Sequence, residues 1–101
     1  MLALVGMKLL DIKESDKAGK KFTVVVEHEG RRKTIHFGSA GSDDYTISGS
    51  KQKRAAYLAR HMVNENWENP LTAGFWSRWL LWNKRTLEAS LRDVMRRFQL
   101  E

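Results

Sequence analysis

The stretch FTVVVEHEGRRKTIHF, residues 22–37, decides the fold. Its first part, residues 22–27, is rich in β-branched residues and alternates in polarity, which is typical of a β-strand with one buried face. Glu29-Gly30 offers a two-residue turn, because Gly readily adopts the positive φ angle that a tight hairpin requires. Residues 31–37 alternate again and predict the return strand. The stretch therefore predicts an antiparallel β-hairpin.

The two faces of the hairpin differ, because successive side chains of a strand point to opposite sides. In the return strand, one face is predicted to carry Lys33, Ile35 and Phe37, and the other Thr34 and His36. Residues 7–13 are a weaker strand candidate. If they pair with the hairpin, the sheet becomes a small meander.

The chain after the hairpin predicts three helices. The first covers about residues 51–66, with Ser48 or Ser50 as its N-cap. Its core stripe is predicted from spacing to be Ala55, Leu58 and Met62, with Tyr57 and His61 beside it.

Two threonines are the predicted caps of the later helices. Thr72 caps a helix through Trp82 that is apolar on almost every side, which indicates burial on more than one side. Thr86 caps the last helix, whose apolar residues recur at Leu87, Leu91, Val94 and Phe98.

We therefore predict an α+β fold, with an N-terminal antiparallel β-hairpin or meander followed by three packed α-helices. Residues 1–101 are expected to form a single domain, with residues 1–6 as a flexible or docking tail. The apolar run at the N-terminus is far too short to span a bilayer, and no membrane association is expected.

Charge is concentrated in the middle of the chain. The whole sequence has 18 Lys and Arg against 12 Asp and Glu, a net charge of +6. Residues 1–30 are balanced, whereas residues 31–64 hold most of the excess. Such a local excess indicates a polyanionic partner. The absence of cysteine excludes disulfides, thiol nucleophiles and thiolate-ligated metals, and it fits a reducing, intracellular location.

Guanidinium groups bind phosphate in a bidentate manner, and Tyr and His supply hydrogen bonds or a surface on which a base stacks. The predicted nucleic-acid-binding residues are Arg31, Arg32, Lys33, Lys51, Lys53, Arg54, Tyr57, Arg60, His61, Arg92, Arg96 and Arg97. Two alternatives remain open. Tyr57 and His61 could cover the core while the arginines pair with Asp43 or Asp44, and residues 31–33 could protect a sheet edge.

The aromatic helix offers a second kind of surface. Aromatic residues are enriched at the centres of protein interfaces, so the interface candidates for a homodimer are Phe75, Trp76, Trp79 and Trp82. Core packing is the alternative for all four. Arg78 interrupts this helix and is expected to point to solvent or to a partner.

No catalytic residue, metal ligand or cofactor is predicted. Residues 38–44 are rich in Gly but lack the Gly-Lys-Ser/Thr ending of a P-loop. A small nuclease or hydrolase using His36, Asp44 and His61 is the least favoured alternative, since no further carboxylate cluster completes such a site.

Several short motifs together resemble a family of small, largely uncharacterised proteins of giant double-stranded DNA viruses and some phages. The motifs are His36-Phe37-Gly38, Asp44-Tyr45-Thr46, Arg54…Tyr57…Arg60-His61, Glu65…Trp67, Ala73-Gly74-Phe75…Ser77-Arg78-Trp79…Leu81-Trp82 and Leu87…Ser90. The resemblance covers roughly residues 20–98. It implies a viral protein of the infected host cell, with packaging in the virion as a further expectation.

The function expected from the residues is non-enzymatic binding of nucleic acid, through the backbone and with little sequence selectivity. DNA is favoured over RNA as the partner. The alternative is a structural or protein-interaction module of the virion that uses the Trp-rich helix.

Overall fold

A computed structural model describes residues 6–101, and it begins with a three-stranded antiparallel sheet. The strands are β1 (Lys8–Glu14), β2 (Lys20–His28) and β3 (Arg31–Ser39), in the order β1-β2-β3. Glu29 and Gly30 join β2 to β3 with φ angles of 55° and 76°. Two positive φ angles are the mark of a type I′ turn, so the predicted hairpin turn is confirmed. The predicted tail, residues 1–6, lies outside the described residues except for Gly6.

The register of the hairpin shows which residues share a face of the sheet. Phe22 lies opposite Phe37 and Val24 opposite Ile35, so the apolar face is continuous across both strands. Thr23 lies opposite His36 on the other face, which confirms the predicted alternation. Between Leu9 and Asp11 the pairing of β1 with β2 shifts by one residue, a bulge at the edge strand.

Four α-helices and one π-helix follow the sheet. They are α1 (Tyr45–Ser48), α2 (Lys51–His61), α3 (Ala73–Trp76), the π-helix (Ser77–Leu81) and α4 (Leu87–Arg97). Side chains of Ser50, Thr72 and Thr86 cap α2, α3 and α4. The α+β fold class is thus confirmed, although the helices differ in number and length from the prediction. No helix within residues 6–101 is long and apolar enough to cross a membrane.

Local hydrogen bonds explain the differences. Asp44 caps α1, which the sequence did not predict, and Gly49 ends it at a φ angle of 64°. Helix α2 ends at His61 rather than at residue 66, where the chain enters a turn in which Asn64 N–H donates to His61 O at 3.1 Å, and Glu65 then bonds the His61 ring. The predicted helix over residues 72–82 is one α-turn followed by the π-helix, in which Trp82 N–H donates to Ser77 O at 3.2 Å.

The core lies between the apolar sheet face and the helices that follow α2. It includes Val24 and Phe37 from the sheet and Val94 from α4. Phe75 and Trp76 have no exposed surface. Core packing, the alternative given above, therefore applies to these two interface candidates, and they present nothing to a partner in this fold.

The inward face of α2 differs from the prediction. Tyr57 is its buried residue, with Arg54 and His61 partly buried on the same side, whereas Ala55 is exposed and Met62 is 62% exposed. The predicted stripe of Ala55, Leu58 and Met62 is wrong for its two outer members. The reason is that aromatic stacking and hydrogen bonds of the polar face attach α2 to the rest of the chain, as described next.

Candidate functional site

A cleft of about 440 Å³ lies at the end of the sheet where β2 begins and β3 ends. Helix α2 forms one wall, and the start of α3 with the π-helix forms the other. Volumes of this order are typical of small-ligand sites. The residues that line the cleft include Lys20, Tyr57, Arg60, His61, Ser77 and Trp82.

Gly38 brings β3 close to the π-helix at the base of the cleft. Its φ angle is +78°, and a Cβ atom added there would lie 2.8 Å from Leu81 Cδ1. Both the conformation and the contact require the absence of a side chain. The His36-Phe37-Gly38 motif thus ends at the one residue that permits this approach.

Three rings form a stacked column along the cleft. The Tyr57 ring stacks on Trp82 with centroids 4.6 Å apart and on His61 with centroids 4.2 Å apart. His61 is one helical turn after Tyr57, a spacing that puts both rings on one face of α2. The column fixes α2 against the end of the π-helix and leaves His61 as its more exposed end, with 39% of the side chain accessible.

Glu65 holds the His61 ring in place. The His61 Nδ1–H donates to Glu65 Oε1 at 3.1 Å, and Trp67 Nε1 donates to Oε2 at 2.8 Å. Gly74 leaves room for this carboxylate, because a Cβ there would lie 2.8 Å from Glu65 Cδ. Within residues 6–101 the His61 Nε2 atom makes no hydrogen bond. Burial, to which the Glu65 charge adds, raises the pKa of the Tyr57 hydroxyl well above its usual value.

The other two carboxylates of the cleft also have partners. Lys21 Nζ donates to Asp44 Oδ2 at 2.6 Å, while Asp44 Oδ1 accepts from the Thr46 N–H as the cap of α1. Lys53 Nζ lies 2.8 Å from Asp43 Oδ2. The hydrogen bond from Lys53 lowers the pKa of Asp43, so this carboxyl is ionised at neutral pH. Lysines therefore compensate the charges of Asp43 and Asp44, whereas the hydrogen bonds to Glu65 come from the rings of His61 and Trp67.

Lys20 and Arg60 are the two cations that remain. Both line the cleft, and within the described part of the chain neither forms an ion pair or a side-chain hydrogen bond. These two side chains add two positive charges to the cleft, against the single carboxylate of Glu65 that no lysine or arginine pairs within residues 6–101.

Arg54, unlike Arg60, makes its contacts within the protein. Its Nε donates to the carbonyl oxygen of Trp82 at 3.0 Å, and its guanidinium lies 5.6 Å from the centre of the Tyr45 ring. Arg78 Nη1 donates to the same Trp82 oxygen at 2.8 Å. Arg78 does not point to solvent as expected, since its guanidinium lies between the Trp67 and Trp79 rings. Burial, together with the charges of Arg54 and Arg97, lowers the pKa of Arg78 to about 10, so it stays cationic at neutral pH.

The basic triplet lies at the other end of the sheet. At about 3.3 Å per residue, Arg31 is roughly 26 Å from Ser39 along β3. Arg32 pairs with Glu27 at 3.3 Å, and Lys33 Nζ donates to Leu71 O at 2.8 Å. β3 is an edge strand of the sheet, as the edge-protection alternative requires. The structure therefore does not bring residues 31–33 together with Arg60.

The remaining predicted cations are spread over two helices. Lys51 and Arg92 are exposed, on α2 and α4. Arg96 and Arg97 both approach Asp93, at 3.5 Å and 3.3 Å, and Arg97 also lies 4.6 Å from the centre of the Trp79 ring. Trp79 and Trp82 are half-buried, and Trp79 Nε1 donates to Trp67 O. These contacts make Arg97 and Trp79 part of the packing between α4 and the π-helix.

The residues of the nuclease alternative do not meet. His36 lies on the outer sheet face, where its Nδ1 is 2.9 Å from Ser15 Oγ and 2.7 Å from Thr23 Oγ1. Asp44 is buried in its pair with Lys21, and His61 belongs to the stacked column. Within residues 6–101, no group of three or more His, Asp or Glu residues is arranged to hold a metal ion.

Sequence reasoning missed Lys20 and Glu65. Lys20 belongs to the charge-balanced first third of the chain, and only its pairing opposite Ser39 brings it to the cleft. Glu65 was placed inside a helix, whereas it follows the end of α2. The spacing of four residues from His61 to Glu65 is the signal that could have indicated their contact.

The chain was compared with known proteins. The model of a family described as "Family of unknown function (DUF5754)" matches residues 10–61, just over half of the chain. No curated protein and no solved structure matches the chain.

Proposed function

The chain belongs to the DUF5754 family of unknown function, and we propose that it is a non-enzymatic nucleic-acid-binding protein. The observation that carries the proposal is the pair Lys20 and Arg60, which line one cleft next to the His61–Tyr57–Trp82 column and have no acidic partner within residues 6–101. Unpaired cations beside aromatic rings suit a chain of phosphates that carries planar bases.

The cleft end of the sheet is the proposed contact surface. Lysines pair two of the three carboxylates there, Asp43 and Asp44, and within residues 6–101 only Glu65 has no lysine or arginine partner, so the positive charges of Lys20 and Arg60 outnumber it. Lys51 is exposed near the start of α2, the helix that also carries Arg60, and can extend the contact along the nucleic-acid strand. Contacts to phosphates carry no sequence information, so the proposed binding has little sequence selectivity, and we favour DNA over RNA. The resemblance to viral proteins supports a setting in the infected cell, and packaging in the virion belongs to the same proposal.

A salt titration tests the proposal. Binding of single-stranded DNA, duplex DNA and single-stranded RNA is measured by fluorescence anisotropy at increasing salt concentration. With about three phosphates neutralised, by Lys20, Lys51 and Arg60, log K falls with log salt with a slope of roughly −2 for single strands. No binding at low salt, or a slope near zero, contradicts the proposal.

A protein-interaction module is the second candidate. It is supported by exposed apolar residues outside the Trp-rich helix, which the sequence had suggested as the interface. Three apolar side chains are largely exposed, one in α1 and two just after α2: Ile47 at 64%, Met62 at 62% and Val63 at 76%. Light scattering of the wild type and of the Met62→Ser, Val63→Ser double variant tests it. A homodimer that the double variant abolishes supports this candidate, and a monomeric wild type contradicts self-association.

A further inference from the structure

We infer that the cleft accepts one unpaired nucleobase, which stacks on the exposed face of the His61 ring while its phosphate lies at Lys20 and Arg60. This inference rests on the proposed function and specifies its ligand as a single-stranded, unstacked nucleotide. A base inside a duplex has both faces covered by its neighbours and cannot enter such a cleft.

The aromatic column supplies the stacking surface. Tyr57 lies between the other two rings, so one face of His61 is covered and the opposite face is not covered by Tyr57. The hydrogen bond from His61 Nδ1 to Glu65 fixes the ring plane before a ligand arrives. A ring that is already oriented loses little conformational entropy on binding, and His is among the side chains on which unpaired bases stack.

Polar groups without partners line the same space. The Tyr57 and Ser77 hydroxyls both border the cleft, and within residues 6–101 neither makes a side-chain hydrogen bond. They can donate to or accept from the edge of a base, as can His61 Nε2. The volume of about 440 Å³ lies in the range that suits a nucleotide-sized ligand.

The two cations line the same cleft as the column. Lys20 comes from the first residue of β2 and Arg60 from the last turn of α2, so they approach from two different elements. A phosphate between them satisfies both charges, and the attached base then reaches the column. The two cations thus suit the phosphate of a nucleotide, and the column suits its planar base.

The test compares two single strands of equal length and charge, one with all its bases and one entirely abasic. Wild-type protein is expected to bind the strand with bases about tenfold more tightly, a typical effect of base stacking on an aromatic residue. His61→Gln retains a hydrogen-bond donor for Glu65 but removes the ring, and it is expected to abolish the difference. His28→Gln is the matched control, since His28 lies at the opposite end of the sheet, and it is expected to keep the difference. Circular dichroism of each variant checks that it folds.

A 2-aminopurine base within the strand gives a second readout, because neighbouring bases quench its emission and the emission rises when the base leaves their stack. A rise with the wild type and not with His61→Gln supports the inference. If the wild type binds the two strands equally tightly, and the affinity falls with salt as expected for phosphate contacts, the inference is overturned and the proposed function stands. A difference that persists in folded His61→Gln also overturns it. Absence of binding to either strand at low salt overturns the proposed function itself.

Discussion

Arg54 donates its Nε–H to the main-chain oxygen of Trp82 at 3.0 Å, which joins the middle of α2 to the residue that follows the π-helix. The Trp82 ring stacks on Tyr57 from the same helix, so both the backbone and the side chain of Trp82 are fixed against α2. The shape of the cleft therefore depends on Arg54, whereas Arg60 contributes charge at its rim.

Replacing Arg54 with Ala is expected to lower the free energy of unfolding by about 1.5–3 kcal/mol, because a charge-assisted hydrogen bond and the contact with Tyr45 are lost. Arg60→Ala is the matched control and should change it by less than about 0.5 kcal/mol, since Arg60 is exposed and unpaired. Urea unfolding followed by Trp fluorescence measures both. Equal stability losses in the two variants would contradict the structural role of Arg54.

Gly38→Ala is expected to destabilise the chain by about 2–3 kcal/mol, because the new Cβ meets Leu81 Cδ1 in a backbone conformation that is already unfavourable for Ala. Gly19→Ala separates the two causes. Gly19 has a similar φ angle of +83° but open space around it, so only the conformational cost of about 1 kcal/mol applies. Thermal unfolding of the two variants gives the comparison. A Gly38→Ala variant no less stable than Gly19→Ala would show that the approach of β3 to the π-helix is not tight.

Asp93 is expected to make folding sensitive to acid. Burial by itself raises the pKa of its carboxyl, but hydrogen bonds from Asn83 and Arg97 outweigh burial and lower the pKa below the ordinary 3.8. The unfolded chain then binds this proton more tightly than the folded chain. The stabilisation is therefore present above the unfolded-state pKa and is lost as the pH falls through the folded-state value. Unfolding free energies between pH 6 and pH 2 should fall less steeply in Asp93→Asn than in the wild type, and identical slopes would contradict the assignment.

The sheet could be predicted almost completely from the sequence, because alternation from Phe22 to Phe37 and the Glu29-Gly30 turn are local signals. The caps Thr72 and Thr86 were predicted for the same reason. The inward face of α2 could not be predicted, since apolar periodicity favoured Ala55 and Met62 whereas stacking and hydrogen bonds of Tyr57 and Arg54 decide the packing.

Charge counted along the chain was a partial guide to the site. It gave equal weight to Arg60, which is exposed, and to Arg54, whose guanidinium is used inside the protein. It gave no weight to Lys20, because strand pairing and not sequence distance brings that residue to the cleft. Positions of charges in space depend on the hairpin register and on the point where α2 ends.

The most direct test of the account compares Arg60→Glu with Arg31→Glu in single-stranded DNA binding. Both residues are exposed, and both substitutions change the charge equally, but the two residues lie at opposite ends of the sheet. The account predicts that Arg60→Glu weakens binding at least tenfold and reduces the salt slope by about 1, while Arg31→Glu changes affinity less than twofold. An equal loss in both variants, or a larger loss in Arg31→Glu, would contradict a binding site at the cleft.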